Sequence, residues 1–284
     1  MMRALVTGGN GLLGRALTAK LKKEGWQISA PSHQEMDITC QEQVEQVFRE
    51  FRPEIVFHCA AYTQVDQAEK EQELCRKINA EGTRIIACCC GKQGVKLVYL
   101  STDYVFPGEG SVFQKAEDPT GPLNVYGESK LEGERAVRDL AGKFFIVRTS
   151  WLFGEKGEGF PQKILTLSKT QQELKVVADQ VGSPTYATDL AEMLVEMARS
   201  ERYGIYHVTN EGICSWYEFA TEILRPGGWT GRLTPVRTEE LGLRARRPLN
   251  SRLDKGSLDK AGFQRLPEWQ DGLKRCFRKI NMCE

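Results

Sequence analysis

Tyr126 and Lys130 form an i, i+4 pair in the run Tyr126-Gly127-Glu128-Ser129-Lys130, with Thr102 upstream of both. On a helix, i and i+4 share a face, so a phenol and an ammonium can point into one cleft. A lysine cation beside a phenol favours the phenolate and is expected to lower its pKa from about 10 toward working pH. A phenol tuned in this way donates a proton to a carbonyl oxygen. Such pairs also occur on ordinary exposed helices, so the weight of this one depends on what precedes it.

What precedes it is a glycine turn. Arg3 to Thr7 reads as a short apolar strand; Gly8-Gly9-Asn10-Gly11-Leu12-Leu13-Gly14 follows, and Arg15 to Lys23 has helical spacing through Ala16, Leu17 and Leu21. Strand, glycine turn and helix in that order are the context in which the motif binds a dinucleotide. Gly8 permits the turn, Gly11 lets backbone approach a pyrophosphate, and Gly14 lets helix and strand pack closely. The helix N-terminus supplies free N–H groups and partial positive charge for the phosphates.

Strands must carry these groups to a common edge. Trp26–Ala30, Glu54–Cys59, Lys96–Ser101 and Phe144–Ser150 read as further strands. Helices are expected over Gln41–Phe51, Glu71–Gly91 and Asn124–Leu140, the last carrying Tyr126 and Lys130. Alternation of this kind implies right-handed crossovers and an α/β, Rossmann-like, doubly wound parallel sheet. Ligands bind such sheets beyond the C-terminal strand ends, where Thr7–Gly14, Ala60–Thr63, Ser101–Asp103 and Thr149–Trp151 all fall. After residue 151 the pattern changes. Asp189–Arg199 and Trp216–Leu224 read as helices, Gly204–Thr209 as a strand, and the remainder as loop-rich. The expected division is a dinucleotide-binding domain over 1–151, with parts of 176–210 packing back onto it, and a smaller substrate-binding lobe over 152–284.

Bulk properties narrow the function class. The 284 residues balance 39 Lys+Arg against 38 Asp+Glu, so no basic field argues for nucleic acid or an anionic membrane. No signal-peptide pattern precedes the first strand, and no apolar run approaches the ~20 residues that span a bilayer. The 9 cysteines include no Cys-x-x-Cys pair and are read as small apolar residues of a reduced, cytoplasmic protein. No metal site is expected. His58, inside an apolar strand, reads as a satisfied core residue.

Five segments together carry a resemblance: Thr7-Gly8-x-x-Gly11-x-x-Gly14; Cys59-Ala60-Ala61-Tyr62-Thr63-x-Val65-Asp66; Ser101-Thr102-Asp103-Tyr104-Val105-Phe106; Pro122-Leu123-Asn124-Val125-Tyr126-Gly127; and Arg148-Thr149-Ser150-Trp151. The chain resembles the extended short-chain dehydrogenases and, within them, the dTDP-4-dehydrorhamnose reductases. The resemblance implies NAD(P)H-dependent reduction of the 4-keto group of dTDP-4-dehydro-L-rhamnose, a nucleotide-sugar substrate. It gives Tyr126 the proton, Thr102 a hydrogen bond to the same oxygen, and Lys130 the nicotinamide ribose. The implied cofactor residues are Gly8, Asn10, Gly11, Leu12, Leu13, Gly14, Asp37, Ile38, Ala60, Ala61, Tyr62, Thr63, Leu100, Tyr126 and Lys130. The implied substrate residues are Thr102, Asp103, Tyr126, Trp151 and Arg247. Trp151 also reads as a packing residue between lobes, Asp103 as a turn cap, and Arg247 as part of a solvated basic cluster.

The cofactor's second phosphate is the open point. NAD-selective proteins place an acidic residue at the end of the second strand; here the sequence is Ala30-Pro31-Ser32-His33. No carboxylate there repels a 2′-phosphate and no arginine claims it, while Ser32 and His33 can donate hydrogen bonds. NADPH is the expected cofactor, with NADH as a substitute. Some relatives carry a glutamate two residues beyond the last turn glycine that binds magnesium between subunits. Ala16 stands there instead, so a homodimer stays open but not a metal-bridged one. Two other functions stay open: reduction or epimerisation of a different nucleotide-linked 4-keto sugar, and a non-catalytic dinucleotide-binding role like that of the regulatory subunit of methionine adenosyltransferase.

Overall fold

The computed structural model describes residues 1–155 and 159–281. The first half contains strands β1 (Arg3–Thr7), β2 (Gln27–Ser29), β3 (Ile55–His58), β4 (Lys96–Thr102) and β5 (Phe144–Thr149). Its helices are α1 (Leu12–Lys23), α2 (Gln41–Phe51), α3 (Val65–Ala68), α4 (Gln72–Arg76), α5 (Thr83–Gln93) and α6 (Val125–Leu140). The second half adds β6 (Leu152–Phe153), α7 (Phe160–Ser168), β7 (Glu173–Val177), β8 (Val181–Gly182), β9 (Thr185–Tyr186), α8 (Ala187–Arg199) and β10 (Gly204–His207). It closes with β11 (Cys214–Ser215), α9 (Trp216–Leu224), β12 (Arg232–Val236), β13 (Asn250–Ser251), α10 (Gly256–Ala261) and α11 (Trp269–Asn281).

A 6-stranded sheet runs in the order β10-β5-β4-β3-β1-β2, every pairing parallel. Its strands are continuously apolar because both faces are covered. On one face Ala4, Val6 and Phe57 meet Leu13 and Leu17 of α1 and Leu190 and Leu194 of α8. On the other, Leu5, Val56 and Leu97 meet Phe48 of α2, Ile86 of α5 and Val137 of α6. The alternation Ala4/Leu5/Val6 between the two faces is the strand period of two. The strand order reverses between β1 and β3, and the crevice at such a switch point is where ligands bind.

The boundary between halves is woven. The strand β10 pairs with β5 and completes the sheet, α8 packs against α1, and Leu258, Phe263 and Leu266 join the first core. The remaining second-half elements build their own core from Phe153, Ile164, Leu174, Phe219 and Trp269.

Three sequence expectations change. The helix after the glycine turn begins at Leu12, not Arg15, with Gly11 as its N-cap in extended backbone. The expected helix Glu71–Gly91 is α4, a π-helical turn over Lys77–Gly82, and α5. The loop-rich remainder holds β12, α10 and α11. The strands β7 and β12 pair in a two-stranded sheet and lack an apolar run. In α11 the stripe of Leu273, Cys276, Phe277 and Ile280 is interleaved with Lys274, Arg275, Arg278 and Lys279. Among the described residues, no helix is long and apolar enough to cross a membrane.

Candidate active site

The glycine turn closes with Gly11 N–H donating to the Gly8 carbonyl at 2.9 Å. Gly8 has φ +66°, and a Cβ there would lie 2.7 Å from Ala60 N, so the ends of β1 and β3 touch at the switch point. A Cβ on Gly14 would lie 2.1 Å from the Gly8 carbonyl, which makes that position obligatory for helix–turn packing. No side chain caps α1, leaving its first N–H groups for an external acceptor. This open-backed, uncapped turn fits a dinucleotide pyrophosphate. Leu13 is buried beneath it, Leu12 lies against Gly154 of the second lobe, and Asn10 is exposed at its rim.

The segments expected on the adenosine side are ordered by local bonds. The Asp37 carboxylate accepts from the Thr39 N–H and hydroxyl, both at 2.9 Å. Burial works against its ionised form, but these bonds hold its pKa below the usual carboxylate value. Ile38 packs on Gly82 of the π-turn. That turn also buries Asn79, which accepts from the Tyr62 N–H at 2.8 Å and donates to the Tyr62 carbonyl at 3.0 Å. Asn79 thereby fixes the Ala60–Ala61–Tyr62–Thr63 stretch in a two-point clamp. Leu100, 8% exposed, closes the floor on β4.

At the end of β4 the hydroxyl of Thr102 donates to Asp103 Oδ1 at 3.0 Å and stands close enough to the Tyr126 phenol to favour its ionised form. Asn124 caps α6 by accepting from Gly127 N–H at 2.8 Å, which sets Tyr126 on the first turn. Ser129 donates to the Tyr126 carbonyl at 2.7 Å and accepts from Asn79 at 2.9 Å. Lys130 is 2% exposed, with Nζ 4.1 Å from the Tyr99 ring centroid. One turn on, the fully buried Glu134 accepts from Arg148 Nε at 2.8 Å and Nη2 at 2.7 Å.

The electrostatics correct one expectation. Burial drives the Tyr126 phenol above its ordinary pKa, the Thr102 hydroxyl draws it back, and Asp103 adds to the rise. Burial also lowers Lys130 to about 7, against the Glu134 carboxylate that favours its charge. The lysine's influence falls on His58 and Cys59, so without ligand it does not lower the Tyr126 pKa. Desolvation of both groups outweighs their i, i+4 proximity. His58 is a core residue held between Thr7 at 2.7 Å and Thr83 at 3.0 Å. Burial, with Lys130 adding to it, lowers its pKa to about 3.

The substrate-side expectations meet occupied side chains. Asp103 is 4% exposed and accepts from Ser251 of β13 at Oδ2. Burial pushes its pKa up to about 6 despite the Ser251 and Thr102 hydrogen bonds. Arg247 belongs to no open basic cluster: it pairs bidentately with Asp66, tying the second lobe to α3. Trp151 adopts φ +50° and stacks on Trp216 of α9, with centroids 3.9 Å apart and planes 16° apart. Trp151 also packs against Gly182, which in turn faces Ser251, so Thr102, Asp103, Ser251 and Trp151 form one connected wall. Asn79, Ser129, Glu134, Ser251 and Trp216 were not singled out from sequence. Each acts through a partner distant in the chain, and only the Asn79 position, inside a helix of apolar period, carried a signal.

A glycine turn at the switch point of a parallel sheet, with Thr102, Tyr126 and Lys130 beyond its strand ends, defines the architecture of a dinucleotide-binding short-chain dehydrogenase. The sequence model of the family described as RmlD substrate binding domain matches residues 2–282, and the chain belongs to that family. It is 42% identical to the spore coat polysaccharide biosynthesis protein SpsK of Bacillus subtilis, with 96% of each chain covered. It is 40% identical to the dTDP-4-dehydrorhamnose reductase of Streptomyces griseus, covering 97% of this chain and 93% of that one. The crystal structure of the dTDP-4-dehydrorhamnose reductase from Bacillus anthracis in complex with NADP matches with a TM-score of 0.96 at 45% identity, covering 98% of this chain and 100% of that chain.

Proposed function

We infer that the protein reduces the 4-keto group of dTDP-4-dehydro-L-rhamnose with NADPH, giving dTDP-L-rhamnose. The observation that carries this reading is the convergence of Thr102 at the end of β4 with Tyr126 and Lys130 on the first turns of α6, on the sheet edge that also carries the glycine turn. NADPH, when bound, supplies the hydride. Tyr126 retains its proton at neutral pH because burial raises its pKa, so it enters the reaction as the donor for the developing alkoxide. Thr102 turns its hydroxyl proton from Asp103 to the same oxygen and shares the charge. Lys130 brings three N–H donors to a site walled off from water, and a ribose diol accepting them restores the solvation its ammonium loses on burial. Glu134, held by Arg148, keeps a negative charge one helical turn from Lys130 and favours that ammonium. Asp103, held by Ser251, and Trp151, braced by Trp216, form the sugar-facing wall, and Arg247 reaches the pyrophosphate by exchanging Asp66 for it. The lobe built on β7, β12, α7, α9 and α11 selects the sugar and base. The same reading places the protein in the cytoplasm, acting alone or as a homodimer without a bridging metal.

The test is NADPH consumption with dTDP-4-dehydro-L-rhamnose. Tyr126→Phe is expected to lower kcat by ~10²–10⁴-fold while leaving the NADPH Kd unchanged. Turnover that survives this change sinks the proton-donor role. NADPH binding without turnover on any nucleotide-linked keto sugar points to the non-catalytic reading.

A further inference from the structure

Beside the glycine turn lies a cavity of about 330 Å³ lined by Gly9, Asn10, Arg15, Thr18, Lys22 and Ala30 among others. Three features of it bear on one ligand. Its location is the end of β2: a Cβ on Gly9 would lie 2.9 Å from the Ala30 Cβ, so the turn and the β2 terminus form a single rim. A dinucleotide on such a turn extends its adenosine ribose toward that terminus. Its charge is uniformly positive, because Arg15 and Lys22 contribute two cations and no carboxylate lines it. Both cations are exposed, and among the described residues neither has an ion-pair partner, whereas Lys20 on the same helix is tied to Glu24 and Glu192.

We propose that this cavity holds the 2′-phosphate of NADPH, with Arg15 and Lys22 as its cations and Asn10 at its rim. The proposal rests on the reductase reading and deepens it by naming the residues that choose between NADPH and NADH. It also relocates the determinant. No arginine follows β2 in the sequence, and His33 there is exposed and lies 4.0 Å from the Asp37 carboxylate. The cation arrives instead from α1, whose outward face passes over the β2 terminus. Arg15 and Lys22, two helical turns apart on that face, reach the phosphate from two sides. Ala30 leaves room where an acidic side chain in an NAD-selective protein would accept from the 2′-hydroxyl.

The test is binding, so it does not depend on turnover. Affinities for NADPH and NADH, and for the fragments 2′,5′-ADP and 5′-AMP, are measured by calorimetry on wild type, Arg15→Ala, Lys22→Ala, the double variant and Arg15→Lys. The double variant is expected to lose roughly ten- to a hundredfold in affinity for NADPH and 2′,5′-ADP, with NADH and 5′-AMP unchanged within about twofold. Arg15→Lys keeps most of the preference, and added salt weakens NADPH more than NADH wherever both cations remain but not in the double variant. Equal losses for phosphorylated and unphosphorylated ligands, or a preference that survives the double substitution, overturn the proposal. Wild type that binds neither dinucleotide overturns the reductase reading itself, an outcome distinct from the first two.

Discussion

Asp103→Asn is expected to stabilise the protein relative to wild type, by an amount that grows as pH rises from about 4 to about 7. Asp103 is almost fully buried between Thr102 and Ser251, and burial lifts its pKa from 3.8 to about 6. Below the lower value the carboxyl is protonated whether the chain is folded or not, and pH has no leverage through it. Between the two values the unfolded chain has released this proton while the native protein still holds it, so each rise in pH favours unfolding. Above about 6 both states are ionised and the loss levels off. The interval corresponds to ~3 kcal/mol, which asparagine, having no charge to bury, does not lose. Its carbonyl oxygen still accepts from Thr102, and its amide can donate to the Ser251 hydroxyl. Urea unfolding of both proteins across this pH range isolates the residue, since every other carboxylate is common to both. A stability difference that stays flat with pH refutes the buried, raised-pKa description of Asp103. Wild type keeping a carboxylate where an amide is more stable accords with the proposed sugar-facing role of Asp103.

Arg148→Met removes the partner of a carboxylate with no access to water and is expected to cost ~3–5 kcal/mol in urea unfolding. The double change Arg148→Met with Glu134→Leu should recover most of that, and a double variant no better than the single one speaks against a charge-burial origin. Gly133→Ala would set a Cβ 2.3 Å from the Tyr99 hydroxyl and 2.7 Å from the Asn79 carbonyl. It is expected to cost ~1–3 kcal/mol and to weaken dinucleotide binding through the displaced Asn79 clamp; a variant with wild-type melting and binding would show that α6 shifts freely.

Much of the sheet could be read from the chain because β1, β3, β4 and β5 are buried on both faces and so carry uninterrupted apolar runs. The ends of those runs located Thr102 and Trp151 without any tertiary information, and the i, i+4 spacing did the same for Tyr126 and Lys130. What could not be read depends on direction and burial. The pKa of Tyr126 follows from how deeply α6 is sunk, which spacing alone does not convey. Arg15 stands next to Gly14 in the sequence, yet its relation to Ala30 exists only once α1 is laid across the end of β2. Arg247 finds Asp66, and Asp103 finds Ser251, across more than half the chain. The second lobe escaped because β8, β9, β11 and β13 have two residues each, too few for any alternation to register.

The position of β10 has a consequence for how the protein is made. The strand β5 ends at Thr149, but the neighbour that covers its outer edge begins at Gly204. On a translating ribosome the dinucleotide half therefore emerges with an unpaired, largely apolar strand at its margin, and must wait for some fifty further residues before that edge is sealed. The intervening chain includes α8, whose apolar face packs into the first core against α1 and β4, so nascent protein truncated near residue 151 would lack both its edge strand and one layer of its core. Such fragments are expected to associate through β5 rather than fold alone, which makes the second half of the chain an internal chaperone of the first.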